Sequence, residues 1–159
     1  MSRPDATPAG GSVEGALIHF ELGGLALALE ASAVREVGPL PCLIPVPLAP
    51  REVLGLAGLR DRAVTVLDLA RVLGCEPGPH CERELVVLCE PWAHVALQVR
   101  APVQMTLLGG PRALEPPVDA PGLRGLVRGF VSLEPELRLH LLAPQTLVAV
   151  VEERILESA

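Results

Sequence analysis

Apolar and polar residues alternate along most of this chain, in short segments separated by glycine and proline. From Leu17 to Leu22 the alternation places Ile18, Phe20 and Leu22 on one face and His19 and Glu21 on the other. Gly23-Gly24 has the form of a two-residue turn, and Leu25, Leu27 and Leu29 continue the period of two. The pattern predicts an antiparallel hairpin with one buried face. Glu30 to Ala33 reads as a helical turn, Val34 to Val37 as extended chain. Pro39, Pro41, Pro45, Pro47 and Pro50 then impose an extended connector, because proline disfavours helix interiors and cannot donate to a ladder. Gly55 and Gly58 punctuate a turn that carries Arg60, and Val64 to Leu69 alternates as a strand. Ala70 to Leu73 is a helical turn stopped by Gly74.

Cys75 to Glu82 is polar, with two prolines and a glycine, and reads as a loop between subdomains. Leu85 to Cys89 is continuously apolar, as suits a strand covered on both faces. In His94 to Arg100, Val95, Leu97 and Val99 take the inner positions and His94, Ala96, Gln98 and Arg100 the outer ones. Val103 to Leu108 is a further strand, and Leu126 to Leu133 with Leu137 to Leu142 form a last hairpin. Pro144 to Glu157 is the one long helix, with Leu147, Val151 and Ile155 on one face and Pro144 in its first turn. About nine short strands with regular turns indicate a barrel or sandwich rather than a layered α/β fold.

Composition narrows the function. Half of the 159 residues are apolar and only 2% aromatic, so the core is built from Leu, Val, Ala and Ile. The net charge of −6 and the scarcity of aromatics argue against nucleic-acid binding. No apolar run reaches the ~20 residues that span a bilayer. Met1 to Ser12 lacks the apolar core of a signal peptide and reads as a disordered leader over residues 1–13 of a cytoplasmic protein. Cys42, Cys75, Cys81 and Cys89 show no C-x-x-C spacing, so neither a disulfide framework nor a standard zinc motif is indicated. Cys75, His80 and Cys81 have a superficial likeness to metal ligands, and a small metal-binding or redox protein using that loop is the alternative reading. His19, His94 and His140 fall on outward strand positions with no nucleophile motif beside them.

The order Val34-Arg35-Glu36-Val37, then a proline-rich connector, Gly55-Leu56-Ala57-Gly58-Leu59-Arg60, and Val64 to Leu69 resembles the CheW-like domain, the adaptor module of bacterial chemosensory arrays. Glu36, Gly55, Leu59, Arg60, Asp68 and Leu69 stand at the family's positions. The resemblance spans residues 14–150. It implies a mainly β fold: two small five-stranded SH3-like β-barrel subdomains around a shared hydrophobic seam, mainly 14–73 and 84–142, with a C-terminal helix and tail over 144–159.

It further implies a non-enzymatic scaffold without cofactors. Such a module couples a chemoreceptor's cytoplasmic tip to a CheA-type histidine kinase, contacts other CheW-like domains, and is recruited to receptor arrays at the inner membrane without inserting in it. The matching acid and arginine, Glu36 and Arg60, would lie beside the groove for the receptor tip, and Val34, Leu56, Leu59 and Val103 read either as ordinary core or as its apolar wall. The chain departs from the family pattern at Asp61, at Arg100 and at Leu142-Ala143-Pro144.

Overall fold

A computed structural model describes residues 11–60, 62–75, 82–117, 123, 125–134 and 136–158. In chain order come β1 (Ser12–Val13), β2 (Ala16–Leu22), β3 (Leu25–Glu30), a 3-10 turn (Ala31–Ala33), β4 (Val34–Pro39), β5 (Val53–Leu59), β6 (Arg62–Asp68) and α1 (Leu69–Leu73). Then follow β7 (Arg83–Leu88), β8 (Val95–Arg100), β9 (Gln104–Leu107), β10 (Arg112–Ala113), β11 (Val127–Glu134), β12 (Leu137–Leu142) and α2 (Pro144–Ser158). The mainly β class and the C-terminal helix are as the sequence predicts. Ser12 and Val13, expected in a disordered leader, instead pair with β10, and Val13 is buried.

Two five-stranded sheets make up the body, one ordered β11-β12-β3-β2-β9 and the other β4-β7-β8-β6-β5. The division of strands between residues 14–73 and 84–142 is not the one the hydrogen bonds follow. Each sheet takes strands from both halves: β2 and β3 join the first sheet, while β7 and β8 join the second. The two sheets match strand for strand. In each, an antiparallel hairpin (β11-β12, β5-β6) pairs in parallel with the hairpin of the other half (β3-β2, β8-β7), and an outer strand (β9, β4) closes the order. The registers coincide residue by residue. His140 stands opposite Leu27 as Thr65 stands opposite Val95, and Gln104 opposite His19 as Glu36 stands opposite Val87. The chain is therefore two topological repeats that exchange their first hairpins.

The same device shapes both sheets. Gly55 and Gly129 sit at register shifts with φ of +149° and +159°, where glycine alone is at ease. A Cβ there would stand 2.5 Å from the Ile44 carbonyl oxygen and 2.3 Å from that of Glu115. That space lets Ile44 bridge to Leu56 and Glu115 to Phe130 by paired backbone hydrogen bonds. Gly55-Leu56-Ala57-Gly58, expected as a turn, is therefore strand interior, and the turn falls at Arg60.

Three apolar clusters follow from this plan. Leu17, Ala28, Val131, Leu139 and Leu141 fill the inner side of the first sheet, and Ala57, Val64, Val66, Leu85, Val87 and Ala96 that of the second. Between them Phe20, Leu22, Leu27 and Leu29 meet Leu67, Val86, Leu88, Leu97, α1 and the α2 residues Leu147, Val148 and Val151 in the expected seam. Because the central strands are covered on both sides, the expectation of one buried face in β2 and β3 fails: Leu17 and Ala28 are as buried as Phe20 and Leu29, and Ile18 only partly so. In β8, likewise, Ala96 and Gln98 are buried rather than outward.

Candidate functional site

β4 and β5 are the two outer strands of the second sheet, yet Arg60 Nη1 lies 3.6 Å from Glu36 Oε1. The sheet therefore curls enough for side chains from its two edges to reach one another, and this ion pair stands where they do. Glu36 owes its aim to a register shift between Val34 and Glu36, which gives β4 one extra residue, Arg35, against β7. Arg60 owes its position to the β5-β6 turn, where it takes φ +53°. A left-handed arginine is uncommon and costs about 1–2 kcal/mol. The Arg60 side chain is 79% exposed and that of Glu36 33%. So open a pair adds at most about 1 kcal/mol to the fold.

The apolar candidates are distributed around this pair. Val34, two residues before Glu36, is half-buried and packs on the seam, and Leu59, beside Arg60, packs on the inner cluster of the second sheet. Leu56 is a half-buried ladder residue held between Ile44 and Thr65. Val103 immediately precedes β9, the counterpart of β4, and packs on the same seam as Val34. The structure thus unites Glu36 with Arg60, and sets Val34 and Val103 at matching places on two sheets. Asp61 lies outside the described residues.

Other groups singled out from sequence fare differently. Cys75 is half-buried and packs on the seam; His80 and Cys81 lie outside the described residues. No cluster of three His, Cys, Asp or Glu able to hold a metal stands among the described residues. His94 is exposed as expected, but His19 is half-buried and bonded to Thr106 Oγ1 at 2.8 Å. His140, expected to face outward, is buried, because β12 is a central strand of its sheet and His140 stands between its ladder neighbours Leu27 and Phe130. Its ring lies 5.8 Å from that of Phe130, over which the Arg138 guanidinium stands 5.0 Å from the centroid. Burial first, and Arg138 second, hold His140 below the ordinary histidine value.

Two features went unread in the sequence. Ile44, Val46 and Leu48 of the connector are exposed, Leu48 at 94%, as are Met105 and Leu107 on β9. Apolar residues alternating between prolines were the available signal for the connector. Glu52 is buried, and its carboxylate is paired with Arg154 of α2, so the C-terminal helix, which starts from the first sheet, is tied to the second. Among the described residues no helix is long and apolar enough to cross a membrane.

Comparison with known proteins bears on the family and the fold. The chain is 26% identical over 120 residues to a protein named chemotaxis protein CheW from Rhizobium meliloti (strain 1021), covering 74% of this chain and 77% of that one. Its fold is similar to that of the scaffolding protein TtCheW from Thermoanaerobacter tengcongensis, with a TM-score of 0.67 at 18% identity, over 82% of this chain and 90% of that chain. The family described as the CheW-like domain matches residues 16–152, and the chain belongs to it.

Proposed function

We propose that this chain is a non-enzymatic scaffold of a bacterial chemosensory array, coupling a chemoreceptor's cytoplasmic tip to a CheA-type histidine kinase in the cytoplasm. Family membership and the names of its relatives support the scaffold reading. The receptor face is centred on Glu36 and Arg60, with Val34, Leu56, Leu59 and Val103 as its apolar surroundings.

The observation that carries this assignment is the exposed Arg60, held at φ +53° with its side chain beside that of Glu36. The pair stabilises the fold too little to account for the strained backbone, and strain of this kind gathers at functional sites. An arginine fork engaged by one carboxylate still has donors for a partner's backbone or side chains. A scaffold changes kinase output only by binding its active and inactive arrangements with different affinity. The exchanged hairpins suit that task, since every displacement of one repeat is carried into both sheets.

Titration calorimetry against a peptide or fragment bearing the receptor tip tests the site. Arg60→Glu weakens binding by the ~1.5–3 kcal/mol of a charge-assisted hydrogen bond, with the circular dichroism spectrum unchanged. Glu36→Arg combined with Arg60→Glu recovers part of the loss. Affinity unmoved by Arg60→Glu removes the pair from the interface.

A further inference from the structure

The matching outer strands β4 and β9 differ in how they meet solvent. Aligned through their registers, Glu36, Val37, Gly38 and Pro39 of β4 correspond to Gln104, Met105, Thr106 and Leu107 of β9. The β4 edge carries a register shift, a charge, a glycine and a proline, each of which obstructs a further strand. The outer side of β5 is bridged by Ile44, and that of β11 by Glu115 and by Arg112, whose guanidinium donates to the Ser132 carbonyl. β9 has no charge, proline, glycine or register shift, and no strand beyond it among the described residues. Its Met105 and Leu107 are 62% and 75% exposed.

We propose that the β9 edge is a self-association surface, where two copies of this chain pair β9 with β9 antiparallel about a twofold axis at Thr106. The hydrogen-bond phase permits this register. Leu108 N–H donates to Gly15 O at 2.8 Å, so by alternation residues 104, 106 and 108 face β2, and the N–H and C=O groups of 105 and 107 face outward. In the twofold register Met105 of one copy stands opposite Leu107 of the other, and both pairs make main-chain hydrogen bonds. The four apolar side chains then lie on one face as two cross-strand pairs. One register thus pairs the outward-facing backbone groups and covers both exposed side chains, without bringing two charges together in a chain of net charge −6. This self-complementarity favours a second copy over a foreign strand. So short a ladder buries far less than the roughly 1,000 Å² of a stable interface, so the dimer is weak and concentration-dependent.

Sedimentation equilibrium of the full chain, from micromolar to millimolar, tests this surface, which is distinct from the Glu36–Arg60 site. The average mass rises toward that of a dimer. Leu107→Pro, which copies Pro39, and Met105→Lys each weaken association by about tenfold or more. Neither alters an N–H that faces β2, and circular dichroism verifies the fold of each; should Met105→Lys fail to fold, Leu107→Pro decides. In a Cys42→Ser background, Thr106→Cys gives a disulfide-linked dimer under mild oxidation. Twofold-related residues at a non-hydrogen-bonded position have Cα atoms about 4.5 Å apart, within disulfide range. Ser132→Cys in the same background stays monomeric. A chain that remains monomeric throughout and fails to cross-link at Thr106→Cys overturns the proposal. So does self-association that survives Leu107→Pro at full strength, or a Leu107→Pro effect confined to binding a foreign strand.

Discussion

Arg60 and His140 show how single positions divide between fold and function. Arg60 sits in a left-handed turn that glycine would fill with less strain. Arg60→Gly is therefore expected to leave stability within about 1 kcal/mol of wild type, or to raise it, while abolishing the ion pair with Glu36. A melting temperature that holds while receptor-tip binding falls identifies Arg60 as a binding residue; a marked loss of stability identifies it as structural. His140 works in the opposite sense. The folded state holds it below 6.5, whereas the unfolded chain takes up its proton near that value. Its depressed value therefore costs nothing above 6.5 and lowers stability as pH falls below it. His19, held down by burial, adds to the same slope. Denaturant melts between about pH 7 and pH 5 should show this decline, and His140→Leu should flatten it. An unchanged slope assigns the acid sensitivity elsewhere.

At the scale of elements, two glycines decide where strands can be crossed. A methyl group at Gly129 or Gly55 meets a backbone carbonyl that cannot move without breaking its bridge. Gly129→Ala and Gly55→Ala should each cost at least about 2 kcal/mol in chemical denaturation. Gly58→Ala, with open space around the new Cβ, serves as the control and should stay within about 0.5 kcal/mol. Equal effects at all three positions exclude the carbonyl contact as the cause. Gly55 was legible as a break in the pattern but not as strand interior, and Gly129 lay unmarked inside the strand read over Leu126 to Leu133, because a glycine that ends a strand and one that lets another backbone approach have the same local sequence.

For the whole molecule, the exchange of hairpins is the governing feature. Neither half of the chain contains a complete sheet: residues 11–75 lack the strands beside β3 and β6, and residues 82–158 lack those beside β8 and β12. Each fragment alone should show little folded structure by circular dichroism, while an equimolar mixture should recover a cooperative melt. A half that folds alone refutes the interdependence of the repeats. The same architecture explains why a division of the strands into residues 14–73 and 84–142 does not follow the sheets. Local patterning places strands, whereas the choice of hydrogen-bonding partner depends on contacts distant in sequence.

Local pattern was enough to read β2 to β4, β6 to β9, the hairpins at Gly23-Gly24 and at Glu134 to Glu136, the C-terminal helix and the resemblance carried by Glu36 and Arg60, but not β1, β5 or β10. Those that were read rest on local period, turn chemistry and motif spacing. Tertiary structure alone decided the rest. It buried His140, Ala96 and Gln98, because central strands covered on both sides do not keep the alternation that sequence reads as one face in and one face out. It brought Glu36 to Arg60 by curling a sheet whose outer strands lie far apart in hydrogen-bonding order. It also left β9 bare while blunting its counterpart, a difference that appears only once the two sheets are in register.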